Sequence, residues 1–276
     1  FGSHPLGRRV LGEAEVISSI PVPDIEAYRQ AHYTAPQIVV GAAGHLDHEA
    51  IVALAEKYVN PPTVGGGVAP RTALTEPPRL CFLSKETEQY HICFGAPGLR
   101  REDERRFPLA VLDSIFGGST SSRLFREVRE KRGLAYSVGS YNEQYTDSGL
   151  IATYVGTREA NVEEACAVIG AELERLRSEP VSAEEVSRAK ESVKGRLVLS
   201  SESTATRMSR ISRATLFGLP LEELDEMLAK VDAVTVEELT ALATELYGSE
   251  RLSAACVGRD EERFRRALAP VSESLA

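Results

Sequence analysis

Two periods of apolar residues alternate along this chain. Between Asp47 and Tyr58 the positions Ile51, Leu54, Ala55 and Tyr58 fall at i, i+3, i+4 and i+7, which predicts a helix with one buried stripe. The continuous apolar run Ile38–Ala43 before it is strand-length and predicts a buried strand, and a helix is expected from Asp24 to about His32 behind a turn-rich entry. Farther on, Arg79–Ser84 and Gln89–Ala96 read as strands, Phe107–Phe116 as a helix ended by Gly117-Gly118, and Ser122–Arg132 as a helix stopped by Gly133. Leu134–Tyr141 and Ser148–Val155 read as a strand pair. Helices then dominate. Asn161-x-x-Glu164, Ser182-x-x-Glu185 and Thr235-x-x-Glu238 each set a side-chain acceptor at an N-cap and a carboxylate three residues on, the pattern of a helix start. On the first of these helices Val162, Cys166, Ile169, Leu173 and Leu176 form one stripe. Helices near Thr206–Phe217 and Leu221–Val231 follow, and Arg251–Val257 reads as a last strand. The expected fold class is α+β, with helices layered on a largely antiparallel sheet.

The patterning breaks once. Asn60–Pro70 holds three prolines and three glycines in eleven residues and supports neither helix nor ladder, so residues 61–78 are expected to be an interdomain linker between residues 1–60 and 79–276. Sixty residues are too few for a comfortable core of their own. No duplicated motif is obvious, but the first region ends in strand-then-helix, which permits two related domains.

Composition narrows the function classes. At 276 residues the length fits one or two domains, and 42% hydrophobic with 26% charged residues excludes disorder or a collagen-like repeat as the main story. No apolar run approaches the roughly 18–20 residues of a membrane-spanning helix. With 41 acids against 32 bases the net charge is −9, which makes nucleic acid and anionic lipid poor partners. Only six bases are lysine, so a local cationic site is expected to be arginine, whose forked donors suit carboxylates and carbonyls. Cys81, Cys93, Cys166 and Cys256 are widely spaced in apolar contexts, which points to a reducing, cytoplasmic setting rather than a disulfide framework. The first residue is Phe1, and the opening segment lacks a signal-peptide pattern; it reads as a cut within a longer protein.

Three segments invite a chemical reading and each has a plainer one. His45-Leu46-Asp47-His48-Glu49 is close to H-x-x-E-H, with its last two letters exchanged; Asp47 as an N-cap with His48 and Glu49 in an exposed first turn accounts for it better than a metal. His91-x-Cys93 places two possible ligands on one strand face, without a third. Phe116–Ser122 resembles a phosphate-cradling loop but lacks the following lysine, so a turn with a Ser/Thr cap is the simpler reading.

The segment Ser122–Val138 stands apart. If Leu124, Phe125 and Val128 bury one side of its helix, Arg129 and Arg132 point elsewhere from the last turn, and Gly133 permits the sharp exit that returns Tyr136 toward that turn. A guanidinium and a phenol could then donate to a peptide carbonyl or to an oxygen that gains negative charge on attack. Dipole-matched arginines beside an ordinary strand tyrosine explain the same residues without any function.

The run SSRLFREVREKRGLAYSV followed by YTDSGLIATYVGT resembles the second-domain signature of the pitrilysin/insulinase family of zinc metallopeptidases, in particular its processing-peptidase branch. His4–Arg8, the segment VVGAAGHLDHEAIVALAEKY, SRAKESVKGRLVLSSES and KVDAVTVEELTALA agree in order along essentially the whole chain. The resemblance implies half of a clamshell, a metallohydrolase-like second domain with the tail of a preceding related one, and it implies that Arg129 and Tyr136, matched by their R-x6-Y spacing, contact the scissile region of a peptide. It also implies that the zinc ligands, H-x-x-E-H and a distal glutamate, lie upstream of the HPLGR segment; the motif is absent here, so zinc belongs to a longer parent and this chain is expected to be inactive alone.

Two functions follow as expectations. In one the chain is the C-terminal portion of a zinc endopeptidase acting on peptides or unfolded polypeptides, joined to an upstream zinc domain and assembled as a homodimer or heterodimer. In the other it belongs to a non-catalytic partner subunit that keeps the arginine and tyrosine and relies on a metal-bearing chain. An unrelated α+β interaction domain is the plain alternative. The first sixty residues are expected to expose apolar surface and to drive association.

Overall fold

A computed structural model describes residues 1–62 and 77–275, so most of the expected linker lies outside the described residues. The chain divides into two compact units, one of residues 1–74 and 197–224, the other of residues 75–196 and 225–276. Residues 197–224, which the sequence assigns to the second domain, thus cluster with the beginning of the chain.

The first unit contains α1 (Ala14–Ser19), α2 (Val22–His32) and α3 (His48–Tyr58), together with the end of α6 (Ala183–Ser201) and all of α7 (Thr204–Phe217). Asp47 caps α3, its Oδ1 accepting from the Ala50 N–H at 2.8 Å. The expected buried strand at Ile38–Ala43 is not one. The segment is extended but joins no ladder among the described residues, none of it is buried, and Val40 is exposed. Its physical reason is simple: a strand needs a neighbour, and this unit contains no other among the described residues. Gly41 instead lies against the Ser212 hydroxyl of α7, with no room for a side chain.

The second unit holds a sheet of β1 (Leu80–Ser84), β2 (Gln89–Pro97), β3 (Ala135–Gln144), β4 (Gly149–Arg158) and β5 (Ser253–Gly258) in the order β1-β5-β2-β4-β3. Among the described residues only β1 and β5 pair in parallel; β5 enters between β1 and β2 from far along the chain. Strand alternation sorts the faces. Tyr90, Ile92, Phe94 and Ala96 of β2 and Ile151 and Val155 of β4 are buried. The core beneath them is built with α4 (Arg106–Phe116), α5 (Val162–Ser178), α9 (Val236–Leu246) and α10 (Glu261–Leu268). The predicted α5 stripe is buried throughout.

Local signals hold in part. Thr235 and Glu238 form the expected capping box of α9, and Ser182 and Glu185 exchange the same reciprocal bonds before α6. Asn161 does not cap α5; its amide donates to the Leu134 carbonyl at 3.1 Å, tying the helix start to the entry of β3. Two helices, α1 and α10, were not expected, and α8 (Leu224–Ala233) begins three residues later than Leu221.

Candidate functional site

The expected helix over Ser122–Arg132 opens with helical Arg123 and Leu124 and then widens into a π-helix over Phe125–Glu130. The Lys131 N–H reaches back five residues to the Arg126 carbonyl at 2.9 Å. Leu124 and Val128 are buried, as their spacing demands, whereas Phe125 is half-buried. Gly133 then takes φ of +61°, a conformation costly for any other residue, and the chain turns into β3.

Just past that turn the ladder slips. Ala135 pairs with Thr157 and Ser137 with Gly156, leaving Tyr136 as the extra residue of a β-bulge. A bulge re-aims a side chain, and Tyr136 is 77% exposed. Arg129 lies against it. Its Nη1 donates to the Tyr136 carbonyl at 3.0 Å, and its guanidinium carbon is 4.1 Å from the centre of the Tyr136 ring and 4.7 Å from that of Phe125. Four guanidinium N–H groups and the Tyr136 hydroxyl carry no protein partner among the described residues. An arginine stacked on aromatic rings is fixed in direction yet keeps its donors for a ligand.

The neighbouring charges are spoken for. Glu127 receives Lys131, and it receives Arg132 at 2.6 Å; these bonds hold its carboxyl below the usual range against a smaller opposing effect of burial. Arg132 is therefore paired with a carboxylate, whereas Arg129, among the described residues, is held only by the Tyr136 carbonyl and the two rings. Where the π-helix begins, buried Arg123 forms a two-pronged pair with Glu185, at 2.9 and 3.2 Å. Burial alone would push the Glu185 carboxyl up; the bonds and charge of Arg123, with Ser182, override it and bring it to about 2. Sequence reasoning missed both this anchor and the role of Phe125, although the Phe125-x-x-x-Arg129 spacing carries the second signal.

Among the described residues no group of three or more histidine, cysteine, aspartate or glutamate side chains could hold a metal, so the residues present do not fit a zinc ion. Asp47 is spent on its cap, with His45, His48 and Glu49 exposed around it. His91 bonds through Nδ1 to the Tyr154 hydroxyl at 2.7 Å, while burial raises the Cys93 thiol. The Gly117-Gly118 loop is no anion cradle: both N–H groups are given to the Asp113 carbonyl, and Ser122 accepts from the Phe125 N–H at 3.3 Å. Among the described residues no helix is long and apolar enough to cross a membrane.

A family model described as the peptidase M16 inactive domain matches residues 19–193. An uncharacterized zinc protease of Streptomyces coelicolor is 35% identical over 96% of this chain and 60% of its own length. A similarly described zinc protease of Bacillus subtilis, YmxG, is 35% identical over 90% of this chain and 60% of its own. The chain thus spans about 60% of the length of these relatives. Among solved structures, a peptidase M16 inactive domain from Pseudomonas fluorescens superimposes with a TM-score of 0.82 at 22% identity, covering 94% of this chain and 62% of that one. A chain of complex III2 from Candida albicans does so with 0.82 at 20%, covering 99% and 67%, and these two likenesses speak for the fold.

Proposed function

The chain belongs to the peptidase M16 family, and from that premise we propose that it is the metal-free, substrate-gripping portion of a zinc endopeptidase, with Arg129 and Tyr136 as the residues that contact the peptide. The observation that carries this reading is the stacked pair itself: a guanidinium with four N–H groups unbonded among the described residues, beside an exposed phenol. Buried structural arginines are paired, as Arg123 is; Arg129 is presented.

In this reading the forked donors of Arg129 and the Tyr136 hydroxyl hydrogen-bond a backbone carbonyl of an extended polypeptide, and hold any negative charge that grows on that oxygen. Pre-stacking on Phe125 and Tyr136 lowers the entropy lost when the arginine engages. The zinc named in the relatives' descriptions is supplied by residues outside this chain, in an upstream domain or a partner subunit, and the protein works in a reducing, cytoplasmic setting. Residues 1–60, with which 197–224 cluster, complete the zinc-bearing domain, 61–78 link it onward and the rest of 79–276 closes over the substrate.

The test uses the full-length parent. Arg129→Ala and Tyr136→Phe are expected to lower kcat/KM on unfolded peptides by roughly 10- to 100-fold without changing zinc content; unchanged turnover and binding in both would overturn the assignment. Zinc content of the parent separates this reading from that of a non-catalytic partner subunit.

A further inference from the structure

On the sheet face opposite the core built with α4, α5, α9 and α10, two side chains near the centre hydrogen-bond to each other. Register places Val257, His91, Gly156 and Ser137 in one row across β5, β2, β4 and β3, and Cys93 beside Tyr154 in the next. The His91 Nδ1 and the Tyr154 hydroxyl meet at 2.7 Å with their rings stacked 6.2 Å apart. Gly156 keeps that arrangement possible, since a Cβ there would stand 2.8 Å from the Tyr154 hydroxyl. Burial, and then Cys93, raise the Tyr154 phenol above its ordinary range, so it keeps its proton to donate. His91 is exposed, and its other ring nitrogen has no protein partner among the described residues.

Ser137, in the same row, adjoins the bulged Tyr136. Two strand spacings separate His91 from Ser137, about 10 Å, the length of about three residues of extended chain. Ala255, Cys93, Gly95 and Ala152, neighbours in the register, are small or apolar, and the Gln89 amide oxygen lies 3.4 Å from where a Cβ on Gly156 would stand. Among the described residues, a polypeptide laid across the strands from Tyr136 meets no other ring nitrogen or charged side chain in the rows at the centre of this face.

Resting on the reading above, we propose that His91 and Tyr154 form a second anchor, which hydrogen-bonds the backbone of an extended polypeptide about three residues away from the part gripped by Arg129 and Tyr136. Tyr154 donates to Nδ1 and fixes the orientation of the imidazole, and the outward N–H of His91 donates to a peptide carbonyl. Short peptides that end before this point do not use it.

The experiment is a fluorescence titration of the full-length parent, stripped of metal so that nothing is cleaved, with labelled unstructured peptides of about 5 and about 15 residues. Tyr154→Phe and His91→Ala are expected to weaken the longer peptide by roughly 3- to 10-fold, the worth of one hydrogen bond, and to leave the shorter one unchanged. Arg129→Ala is expected to weaken both. The anchor is overturned if Tyr154→Phe binds the longer peptide like the unsubstituted protein, or if it weakens both lengths equally, which is damage rather than a distal contact. Tyr154→Phe removes one hydroxyl and keeps the ring, so it decides the matter even where His91→Ala unfolds. If Arg129→Ala weakens neither peptide, the gripping role of Arg129 fails, whatever happens at His91.

Discussion

The two units spend their apolar residues in opposite ways. Every buried apolar side chain among the described residues lies in the second unit, from Tyr90 to Leu275, whereas the first buries only His4 and Thr34. Val10 is 100% exposed, Leu11 86% and Leu199 74%. The sequence is comparably apolar in both, so composition does not separate them. Closure does: in the second unit five strands and four helices meet across one core, while the extended run at Ile38–Ala43 has no ladder to join among the described residues.

That contrast can be broken most directly at single side chains. Leu109→Ala, at a fully buried position of α4, is expected to cost about 2–5 kcal/mol, and Leu54→Ala, on half-exposed α3, within about 0.5 kcal/mol of nothing. Denaturant titration of both variants checks it, and equal losses would mean that the first unit is packed like the second.

Electrostatics offers a smaller contrast. The Glu185 carboxyl titrates at about 2 in the folded protein and at about 4.3 when unfolded. Its pKa falls on folding, so its pair with Arg123 stabilises fully above about pH 4.5, and that contribution is lost as the pH drops toward 2. Glu185→Gln is expected to cost about 1–3 kcal/mol at neutral pH and to flatten stability across that acid window. Glu13→Gln, in the exposed Arg9 pair of the first unit, is expected to change nothing measurable. Thermal unfolding at pH 3 and pH 7 reads both.

The smallest effect is a backbone one. Gly133 and Gly12 both hold positive φ, +61° and +70°. Gly133→Ala is expected to cost about 1 kcal/mol of global stability, because it strains the turn into β3, while Gly12→Ala leaves the unfolding midpoint in place. A midpoint shift at Gly12 as large as that at Gly133 would merge the two units into one cooperative body.

The same physics decides what was legible in advance. The α5 stripe, the capping box at Thr235 and the β3–β4 pair are local patterns, and each follows from spacing within a few residues. Ile38–Ala43 misled because a strand is a relation between segments, and the sequence displays only one of them. The π-turn was invisible: its six residues bury Val128, as an α-helix continuing from buried Leu124 would. Asn161 had the letters of a cap, but the neighbouring Leu134 carbonyl, 27 positions away, claimed its amide. Arg129 and Tyr136 could be named from spacing, yet the bulge and the stacking that present them depend on the ladder slip opposite Gly156.

One bond at that point has a practical result. Arg129 holds on to residue 136 through the main-chain oxygen, not through the phenol. Changing the side chain at 136 therefore leaves half of the arginine's tether in place, whereas removing the arginine releases a tyrosine still posed by its own backbone. Two contributions that share one surface can thus be dissected one at a time by mutation.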